Sequence, residues 1–519
     1  MFDIFSLKQW VKKHFALRDI LIILALLVTY LATRLINLDN FPIFTDEGIY
    51  IHWSKVAWKD AAWRFISLTD GKQPLHTWGM IPFLKIFHSN LLLGGRMFSV
   101  LAGLVALKGI MLLSYYLFGK KASFFAGLFY IFTPMFMFYD RMALADSAVN
   151  AGFIWVLFGS ILLVRFLRLD IALMYGITAG VALLTKSSSQ LFLGLGALAP
   201  ILTLHTKNKD HKKSLLNYYV LYFFAALIAL VIYNVQRLSP YLHYVAEKNA
   251  TFVMTLHEFK QAPFSLVFNN LPIIPFYVFS EMGYMLAIFG IIGLIWLYRK
   301  DQRLALYFTL WILISYGGIA FMAKVIFPRY LIFFASLLTV CATYLFSERK
   351  NERFINGLTA LFLISVLYFD FTIMLAPARI PFPPVDRGQY IESFNAGWGI
   401  KDMIQYARQQ SVVKPVILIG EGNFGVVSDM LDASLAMEDH ITVKGYWPLN
   451  KADLMANQSE LKDHFVYVVF SHREDFTTTA DWPMVFIKKY PKPGGTSNYY
   501  LYQMVESATT AFGNDHFTQ

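Results

Sequence analysis

The sequence has very little cysteine and little charge. Its single cysteine, Cys341, lies within an apolar run, so a disulfide framework and a cysteine-ligated metal site are both excluded. Charged residues make up 15% of the 519 residues, whereas hydrophobic residues make up 57% and the mean hydropathy is +0.49. Soluble domains contain about 25% charged residues. This composition predicts a polytopic membrane protein.

The net charge of +11 is spread in a way that argues against a nucleic-acid partner. The basic residues fall in short clusters between apolar runs, which is typical of proteins oriented in a membrane by their cytoplasmic loops. No small-residue cleavage site follows the first apolar run, Ile20–Ile36, so we interpret it as a retained span and not as a signal peptide.

Eleven apolar runs are candidate transmembrane helices, each near the length of about 20 residues that a span requires. Basic clusters fall on alternate loops between them, and by the positive-inside rule these loops are cytoplasmic. We therefore predict a multi-pass protein of the plasma membrane with a cytoplasmic N-terminus and an extracytoplasmic C-terminal region. The runs lie near 20–37, 91–112, 122–139, 144–164, 170–185, 189–205, 217–236, 274–298, 304–323, 329–346 and 355–376, and the clusters include Lys8, Lys12, Lys13, Arg18, Lys120, Lys121, Arg165, Arg168, Lys207–Lys213, Arg299, Lys300, Arg303, Arg349, Lys350 and Arg353.

Two domains are predicted, a transmembrane domain over 1–376 and an extracytoplasmic α/β domain over 377–519. In the first outer loop, 38–90, Ile49–Phe65 predicts an amphipathic helix lying in the outer membrane interface. A proline-rich linker follows Ala376. The tail then alternates helix-like segments with predicted strands at Pro415–Gly420, Phe465–Phe470, Met484–Lys488 and Tyr499–Met504.

Asp46 and Glu47 follow the first span directly. One interpretation is structural: Thr45 caps a helix, and two acids in its first turn complement the helix dipole. The other is catalytic, because partial desolvation at the membrane boundary would raise the proton affinity of a carboxylate, which suits a general base. The two interpretations are compatible, and Asp46 is the preferred base.

A second charged group, Asp140, Arg141 and Asp146, lies between two spans with almost no loop. Asp140 and Arg141 fit a solvated outer turn. Asp146 lies within the next apolar run, where a charged side chain generally faces a cavity or a partner. We predict a functional role for Asp146.

Three cations, Lys72, Lys186 and Arg329, are predicted on the same outer face as these acids. A single cation at a span end usually extends to lipid headgroups. Three on one face favour binding of a lipid phosphate and its stabilisation as a leaving group.

The order of these motifs resembles the GT-C membrane glycosyltransferases, in particular the dolichyl-phosphate-mannose protein mannosyltransferase-like branch and the bacterial aminoarabinose transferases. The resemblance covers roughly residues 20–350. The residues that carry it are Asp46-Glu47-x-x-Tyr50, Lys72-x-Pro74-Leu75, Arg141-x-Ala143-Leu144-x-Asp146, Leu183-Leu184-Thr185-Lys186 and Arg329-Tyr330.

The resemblance implies an inverting enzyme that moves a sugar from a polyprenyl-phosphate donor to a hydroxyl acceptor on the extracytoplasmic face. It implies that Asp46 matches the family's catalytic acid and that Lys72, Lys186 and Arg329 contact the donor phosphate. The family's Lys-Pro-Pro is Lys72-Gln73-Pro74 here, and its Thr-Lys-Gly-Pro is Thr185-Lys186-Ser187-Ser188. These departures weaken any inference about the sugar, which is mannose or another hexose or pentose.

The remaining site residues are assigned by position. Asp146 and Glu47 join Asp46 as candidate catalytic residues, Arg141 joins the donor-phosphate group, and Tyr50, Asp140 and His76 are candidates for positioning the acceptor or the sugar. Asp46, Asp140 and Asp146 are hard oxygen ligands that would favour Mg²⁺ or Mn²⁺, although nothing in the sequence requires a metal. The acceptor is a protein, a lipid or a glycan.

Two further interpretations concern the class of protein. Gly420–Gly425 fits the G-x-G-x-x-G dinucleotide pattern, but a lone match is weak, and we interpret the stretch as a turn or as an anion-binding site at a helix N-terminus. A transporter or flippase for glycolipid precursors would also have many spans. It often shows two related halves and charges distributed in depth, whereas this sequence shows no repeat and collects its charges at the outer ends of spans.

Overall fold

The structure is a computed structural model, and it describes residues 16–203, 211–422, 427–471, 473, 479, 481–495 and 497–507. Lys8, Lys12, Lys13, Lys207 and Lys209, which support the predicted orientation, lie outside these residues. So do Asn423, Phe424 and Gly425 of the G-x-G-x-x-G stretch.

Helices dominate the chain as far as Leu375, because long apolar segments satisfy their backbone groups internally only as helices when water is absent. They are α1 Leu17–Leu35, α2 Thr45–Lys59, α3 Leu75–Ile86, α4 Leu91–Phe118, α5 Lys120–Phe132, α6 Pro134–Tyr139, α7 Asp146–Phe166, α8 Leu169–Leu183, α9 Ser189–Gly196, α10 His211–Tyr233, α11 Tyr244–Phe252, α12 Leu256–Gln261, α13 Val267–Glu281, α14 Met285–Lys300, α15 Gln302–Met322, α16 Ile332–Glu348 and α17 Glu352–Leu375.

Six helical segments among the described residues are long and apolar enough to cross a membrane, or seven if a bent pair forms one span. The prediction of a polytopic helical membrane protein is therefore confirmed. The number of eleven spans is not confirmed. The six segments are Leu91–Phe118, Asp146–Phe166, Lys212–Leu238, Gln302–Met322, Pro328–Glu348 and Glu352–Leu375.

Two predicted spans are interrupted. The run 122–139 divides into α5 and α6 at Pro134, which has no backbone N–H to continue the first helix. The run 274–298 falls across α13 and α14, and the chain bends by 111° between these two helices. The backbone at this bend passes through Gly283 and Tyr284 with φ values of 72° and 57°, which an α-helix does not contain.

The C-terminal region contains a five-stranded sheet flanked by short helices, so the predicted C-terminal α/β domain is confirmed. Its strand order is β2-β1-β3-β5-β4, with β2, β1 and β3 parallel and β5 antiparallel to both β3 and β4. The elements are α18 Pro384–Arg387, α19 Ile400–Ser411, β1 Val416–Glu421, α20 Val427–Ala433, β2 Ile441–Tyr446, α21 Lys451–Ala456, β3 Phe465–Phe470, β4 Met484–Pro491 and β5 Asn498–Met504.

Helix α2 lies between α3 and the C-terminal helix α20. A Cβ atom at Gly48 would lie 2.9 Å from the backbone nitrogen of Met430, so the two helices pack backbone to backbone. Thr45 is the first helical residue and not the predicted cap, because its hydroxyl donates to the carbonyl of Asn395 at 3.0 Å. The C-terminal domain thus holds the start of α2 in place.

Candidate active site

Asp46 lies in the first turn of α2, at the point where the outer loop meets the helical bundle. Its Oδ2 is 3.0 Å from Nη2 of Arg329, and its Oδ1 is 3.9 Å from Nζ of Lys72. The carboxylate is 25% exposed. The structure therefore brings together the predicted base and two of the predicted phosphate-binding cations, and leaves the carboxylate open to a substrate.

Lys72 is held over aromatic rings. Its ammonium lies 5.0 Å from the centre of the Tyr50 ring and 5.4 Å from that of Trp53, a distance at which the ring faces attract a cation. Asp70 lies 3.6 Å from the same ammonium and also pairs with Lys248 at 2.6 Å. These contacts keep Lys72 extended beside Asp46.

Arg329 is held from the other side. Its Nη1 donates to the hydroxyl of Tyr390 at 3.4 Å, and its guanidinium lies 5.3 Å from the ring of Phe44. It is 8% exposed, so its charge is largely removed from water. A planar guanidinium fixed in this way suits recognition of a phosphate.

Asp146 and Lys186 form a second ion pair of the site, with 3.0 Å between Oδ1 and Nζ. The Lys186 ammonium lies 4.1 Å from the ring of Tyr330, the neighbour of Arg329. Gln73 donates to the hydroxyl of Ser187 at 3.0 Å, which joins the loop of Lys72 to the loop of Lys186. This hydrogen bond connects the segment that carries Lys186, the partner of Asp146, to the segment that carries Lys72, the partner of Asp46.

The cluster carries one net positive charge. Its four cations exceed its three carboxylates, so an anion of one or two charges is the complementary ligand. Its members are Lys72, Lys186, Lys248 and Arg329 with Asp46, Asp70 and Asp146.

The pKa of Asp46 differs from the expectation. Burial acts to raise the pKa, as predicted, but the positive charges of Lys72, Arg329 and Lys186 outweigh burial. The pKa of Asp46 therefore lies below its ordinary value of 3.8. The expectation failed because it weighed desolvation without the cations that the fold brings to the same carboxylate.

Tyr50 and His76 adjoin the site in different ways. The Tyr50 ring supports Lys72, while His76 lies behind that ring at 4.8 Å and is fully buried. Burial lowers the pKa of His76 to about 4, so its imidazole is neutral. His76 reaches the site through Tyr50 and has no exposed surface of its own.

Glu47, the predicted partner of Asp46 in catalysis, points in a different direction from α2 and contacts other residues. Both of its carboxylate oxygens are 2.8 Å from Arg96, and it also accepts from the backbone N–H groups of Phe44 at 3.0 Å and Ala143 at 2.7 Å. Glu47 and Arg96 have no exposed surface. The structure does not support a catalytic role for Glu47, because its hydrogen-bonding capacity is taken up by the fold.

Asp140 and Arg141 are likewise structural, contrary to the assignments of Asp140 to positioning and Arg141 to the donor phosphate. Asp140 pairs with Arg34 at 3.3 Å in the bundle interior. Arg141 donates to four carbonyl groups at the end of α1, those of Thr33, Arg34, Ile36 and Asn37. These partners hold both side chains outside the charged cluster around Asp46.

The three acids considered as metal ligands do not converge. Within the described ranges, no group of three histidine, cysteine, aspartate or glutamate side chains is placed to hold a metal ion. Asp140 is enclosed with Arg34, while Asp46 and Asp146 each face a cation. The shared site of Asp46, Asp140 and Asp146 is not formed.

Sequence reasoning missed Asp70 and Lys248 as members of the cluster, and Tyr390 as the hydroxyl that Arg329 contacts. Asp70 precedes Lys72 by two residues, which was an available signal, whereas Lys248 and Tyr390 come from distant segments. Asp386 and Tyr390 are both buried, and Asp386 accepts from the hydroxyl of Tyr139 at 2.7 Å.

A charged contact joins α2 to the C-terminal domain. Nδ1 of His52 lies 2.8 Å from Asp432 and 3.9 Å from Asp429, and Lys55 pairs with Asp432 at 2.7 Å. Burial lowers the pKa of His52, but the hydrogen bond to Asp432 and the charges of both aspartates outweigh it and place the pKa above 6.5. Burial raises the pKa of Asp432, whereas His52 and Lys55 lower it to about 2.

We expect this contact to weaken as the pH rises through the pKa of His52. A raised pKa in the folded state contributes stability that is complete below pH 6.5 and is lost once the folded imidazolium deprotonates. Because His52 is partly exposed, the loss should lower the apparent unfolding temperature by only about 1–3 °C between pH 6 and pH 9. Thermal unfolding of the detergent-solubilised protein measures it. His52→Gln should remove this part of the pH dependence, and an equal dependence in that variant would contradict the assignment.

One family model matches part of the chain. The model is described as dolichyl-phosphate-mannose-protein mannosyltransferase, and it matches residues 71–234, a segment that contains Lys72, Asp146 and Lys186. No curated protein sequence matches the chain.

Solved structures show the same fold over nearly the whole chain. ArnT from Cupriavidus metallidurans in the apo state has a TM-score of 0.61 at 15% identity, covering 96% of this chain and 98% of its own. ArnT bound to undecaprenyl phosphate has a TM-score of 0.62 at 14% identity, with coverages of 93% and 97%. The oligosaccharyltransferase of Archaeoglobus fulgidus has a TM-score of 0.53 at 13% identity, with coverages of 94% and 73%.

Proposed function

We propose that this multi-pass membrane protein, whose GT-C fold agrees with the predicted resemblance, is a glycosyltransferase that uses a polyprenyl-phosphate-linked sugar as its donor. The observation that carries the proposal is the partly exposed Asp46 carboxylate between Arg329 and Lys72. This combination offers a base and an anion site at one point.

The donor phosphate would bind between Lys72 and Arg329, with Lys186 adjoining. A hydroxyl of the acceptor attacks the anomeric carbon as Asp46 takes its proton, the bond from that carbon to the phosphate oxygen breaks, and polyprenyl monophosphate leaves. The cations stabilise the charge that develops on the leaving phosphate. Attack opposite the leaving group inverts the anomeric centre.

The low pKa of Asp46 fits this order of events. Before the donor binds, Arg329 and Lys72 hold the carboxylate charged. A bound phosphate would share these cations, and its own negative charge would raise the proton affinity of Asp46. The base would therefore become effective only when the donor is in place.

The relatives in structure indicate substrate classes for testing. One ArnT structure contains undecaprenyl phosphate, and one structure of the archaeal oligosaccharyltransferase contains a tethered acceptor peptide. For this chain we propose a polyprenyl-phosphate donor carrying a hexose or pentose, mannose among them, and an acceptor that is a protein, a lipid or a glycan.

We place the reaction on the extracytoplasmic face of the plasma membrane. The positive-inside pattern supports a cytoplasmic N-terminus and an extracytoplasmic tail. We also propose a division into a transmembrane domain, 1–376, and an outer domain, 377–519; the last long helix ends at Leu375, next to this boundary. The alternative of a transporter or flippase has less support, because the charged cluster lies at one end of the helices.

Binding of the polyprenyl monophosphate that leaves in the reaction tests the proposed phosphate site. The purified protein should bind undecaprenyl phosphate, and Arg329→Met or Lys72→Met should weaken binding about 10- to 100-fold, the cost of one charge-assisted hydrogen bond. Lys324→Met is the matched control. Lys324 pairs with Glu258 at a distance of 2.8 Å, and this pair is not part of the cluster around Asp46. Failure of the wild type to bind, or an equal loss in the control, would count against the phosphate site.

A further inference from the structure

A cavity of about 290 Å³ lies between the first outer loop and the C-terminal domain. Residues 39–43 form part of one wall, and residues 397–399 form part of the other. None of the residues of the charged cluster around Asp46 lines this cavity. Polar side chains contribute from both sides, Asp39, Ser89 and Asn90 from the loop, and Lys401, Asp402 and Arg408 from the C-terminal domain.

The two walls are fixed relative to each other by backbone hydrogen bonds. The N–H of Gly397 donates to the carbonyl of Ile43 at 2.8 Å, and the N–H of Met437 donates to the carbonyl of His88 at 3.1 Å. The side chain of His88 also pairs with Glu438. A ligand of this cavity therefore meets two walls that are already in place, and its binding avoids the entropic cost of ordering them.

Trp398 is held rigidly in the second wall. A Cβ atom at Gly397 would lie 2.3 Å from the carbonyl oxygen of Ile43, and Gly399 has a φ of 97°, so glycine is required on both sides of the tryptophan. The indole N–H donates to the carbonyl of Tyr390 at 3.3 Å. Trp398 is partly buried, and among the described residues no aromatic ring or cation stacks on its indole. The cavity therefore has an aromatic surface of fixed orientation.

The polar side chains of the cavity offer both donors and acceptors without a net charge. Asn40, Lys401 and Asp402 are exposed, and their side chains make no hydrogen bond to another described residue. Asp39 accepts from the amide of Asn90 at 3.3 Å. The lining contains two acids and two cations, so it does not favour an anion as the charged cluster does.

We infer that this cavity binds a neutral saccharide. One face of a sugar ring presents C–H groups that pack against an indole, while its hydroxyl groups need donors and acceptors around the ring. An anionic ligand would find no excess of positive charge, and a purely apolar ligand would leave the polar lining without partners. The volume of 290 Å³ lies at the lower end of the range of ligand cavities, roughly 300–1,000 Å³, which suits a mono- or disaccharide. The inference does not depend on the proposed function, because the cavity shares no residue with the charged cluster.

Saturation-transfer NMR of the full-length protein, in a detergent without a sugar headgroup, tests the inference. The probes are maltose, lactose and mannobiose, with glucose 6-phosphate as the anionic comparison. The wild type should bind at least one disaccharide, and Trp398→Ala should weaken that binding about tenfold or more, because the aromatic surface is lost. Trp63→Ala is the control and should bind as the wild type does, since Trp63 is also partly exposed but stacks on Tyr241 outside the cavity.

Ser89→Trp tests the same cavity from the opposite wall. Ser89 is exposed, and its side chain makes no hydrogen bond to another described residue, so a larger side chain fills the cavity without removing a contact of the fold. This variant should unfold at the wild-type temperature and lose disaccharide binding. Undecaprenyl phosphate should bind the wild type and all three variants equally, because the cavity is separate from the charged cluster.

Failure of the wild type to bind any of the disaccharides would overturn the inference, and so would a preference for glucose 6-phosphate. Equal losses in Trp398→Ala and Trp63→Ala, or full disaccharide binding by Ser89→Trp, would also overturn it. If the wild type binds a disaccharide but not undecaprenyl phosphate, the proposed function fails and the saccharide site stands. The reverse result would leave the proposed function intact and remove the saccharide site.

Discussion

Asp46→Asn is expected to lower turnover of the donor by about 10²- to 10⁴-fold, the usual contribution of a general base. The amide keeps the shape of the side chain but cannot take a proton from the acceptor. Donor affinity should stay constant or rise, because Lys72 and Arg329 lose the carboxylate that competes with the phosphate for them. Steady-state kinetics of sugar transfer at varied donor concentration separates the two effects.

Asp70→Asn provides the matched control for Asp46→Asn. Asp70 also pairs with Lys72, at 3.6 Å, so its replacement removes a similar charge from the same lysine. We expect turnover to change by less than about tenfold, since an ion pair of this exposure is worth at most about 1 kcal/mol. Equal losses in the two variants would mean that Asp46 acts only by holding Lys72, and the base would have to be sought elsewhere.

Apolar length was enough to predict most of the long helices, but not their interruptions. The break at Pro134 was readable from the sequence, because proline begins helices and ends those before it. The bend near Gly283 was not, since its geometry depends on the packing of two helices that a hydropathy average treats as one.

Four of the five strands of the C-terminal sheet were predicted from the sequence. β1 and β3, which are almost entirely buried, were identified within one residue. β2 was missed, because Ile441–Tyr446 is an edge strand that contains Lys444 and Gly445 and buries only its first residue fully. Its place in the sheet comes from pairing with β1, which is not local information.

The site shows the same division between local and distant information. Topology alone predicted that Asp46, Lys72 and Arg329 would share one face. It could not separate Asp46 from Glu47, because the partner of Glu47 is Arg96, 49 residues away in the chain. The same applies to Asp140, because its ion-pair partner, Arg34, is also distant in the chain. In both cases the sequence showed a charge near the site, and only the fold showed which way it faced.

Glu47→Gln should accordingly damage folding and spare chemistry. The change leaves Arg96 charged and fully buried with a neutral partner, and breaking a buried pair in this way typically costs about 3–5 kcal/mol of the free energy of unfolding. Thermal unfolding in detergent measures the loss.

Glu258→Gln is the control, because Glu258 occupies the same position in the first turn of α12 and pairs with Lys324 at 2.8 Å, but is exposed. Its replacement should leave the unfolding temperature nearly unchanged, because exposed ion pairs contribute little to stability. At a temperature where Glu47→Gln remains folded, its turnover should approach that of the wild type, because Glu47 contacts Arg96 and not the charged cluster around Asp46. If Glu47→Gln unfolds at the wild-type temperature but has lost turnover, Glu47 has a catalytic role and this assignment is wrong.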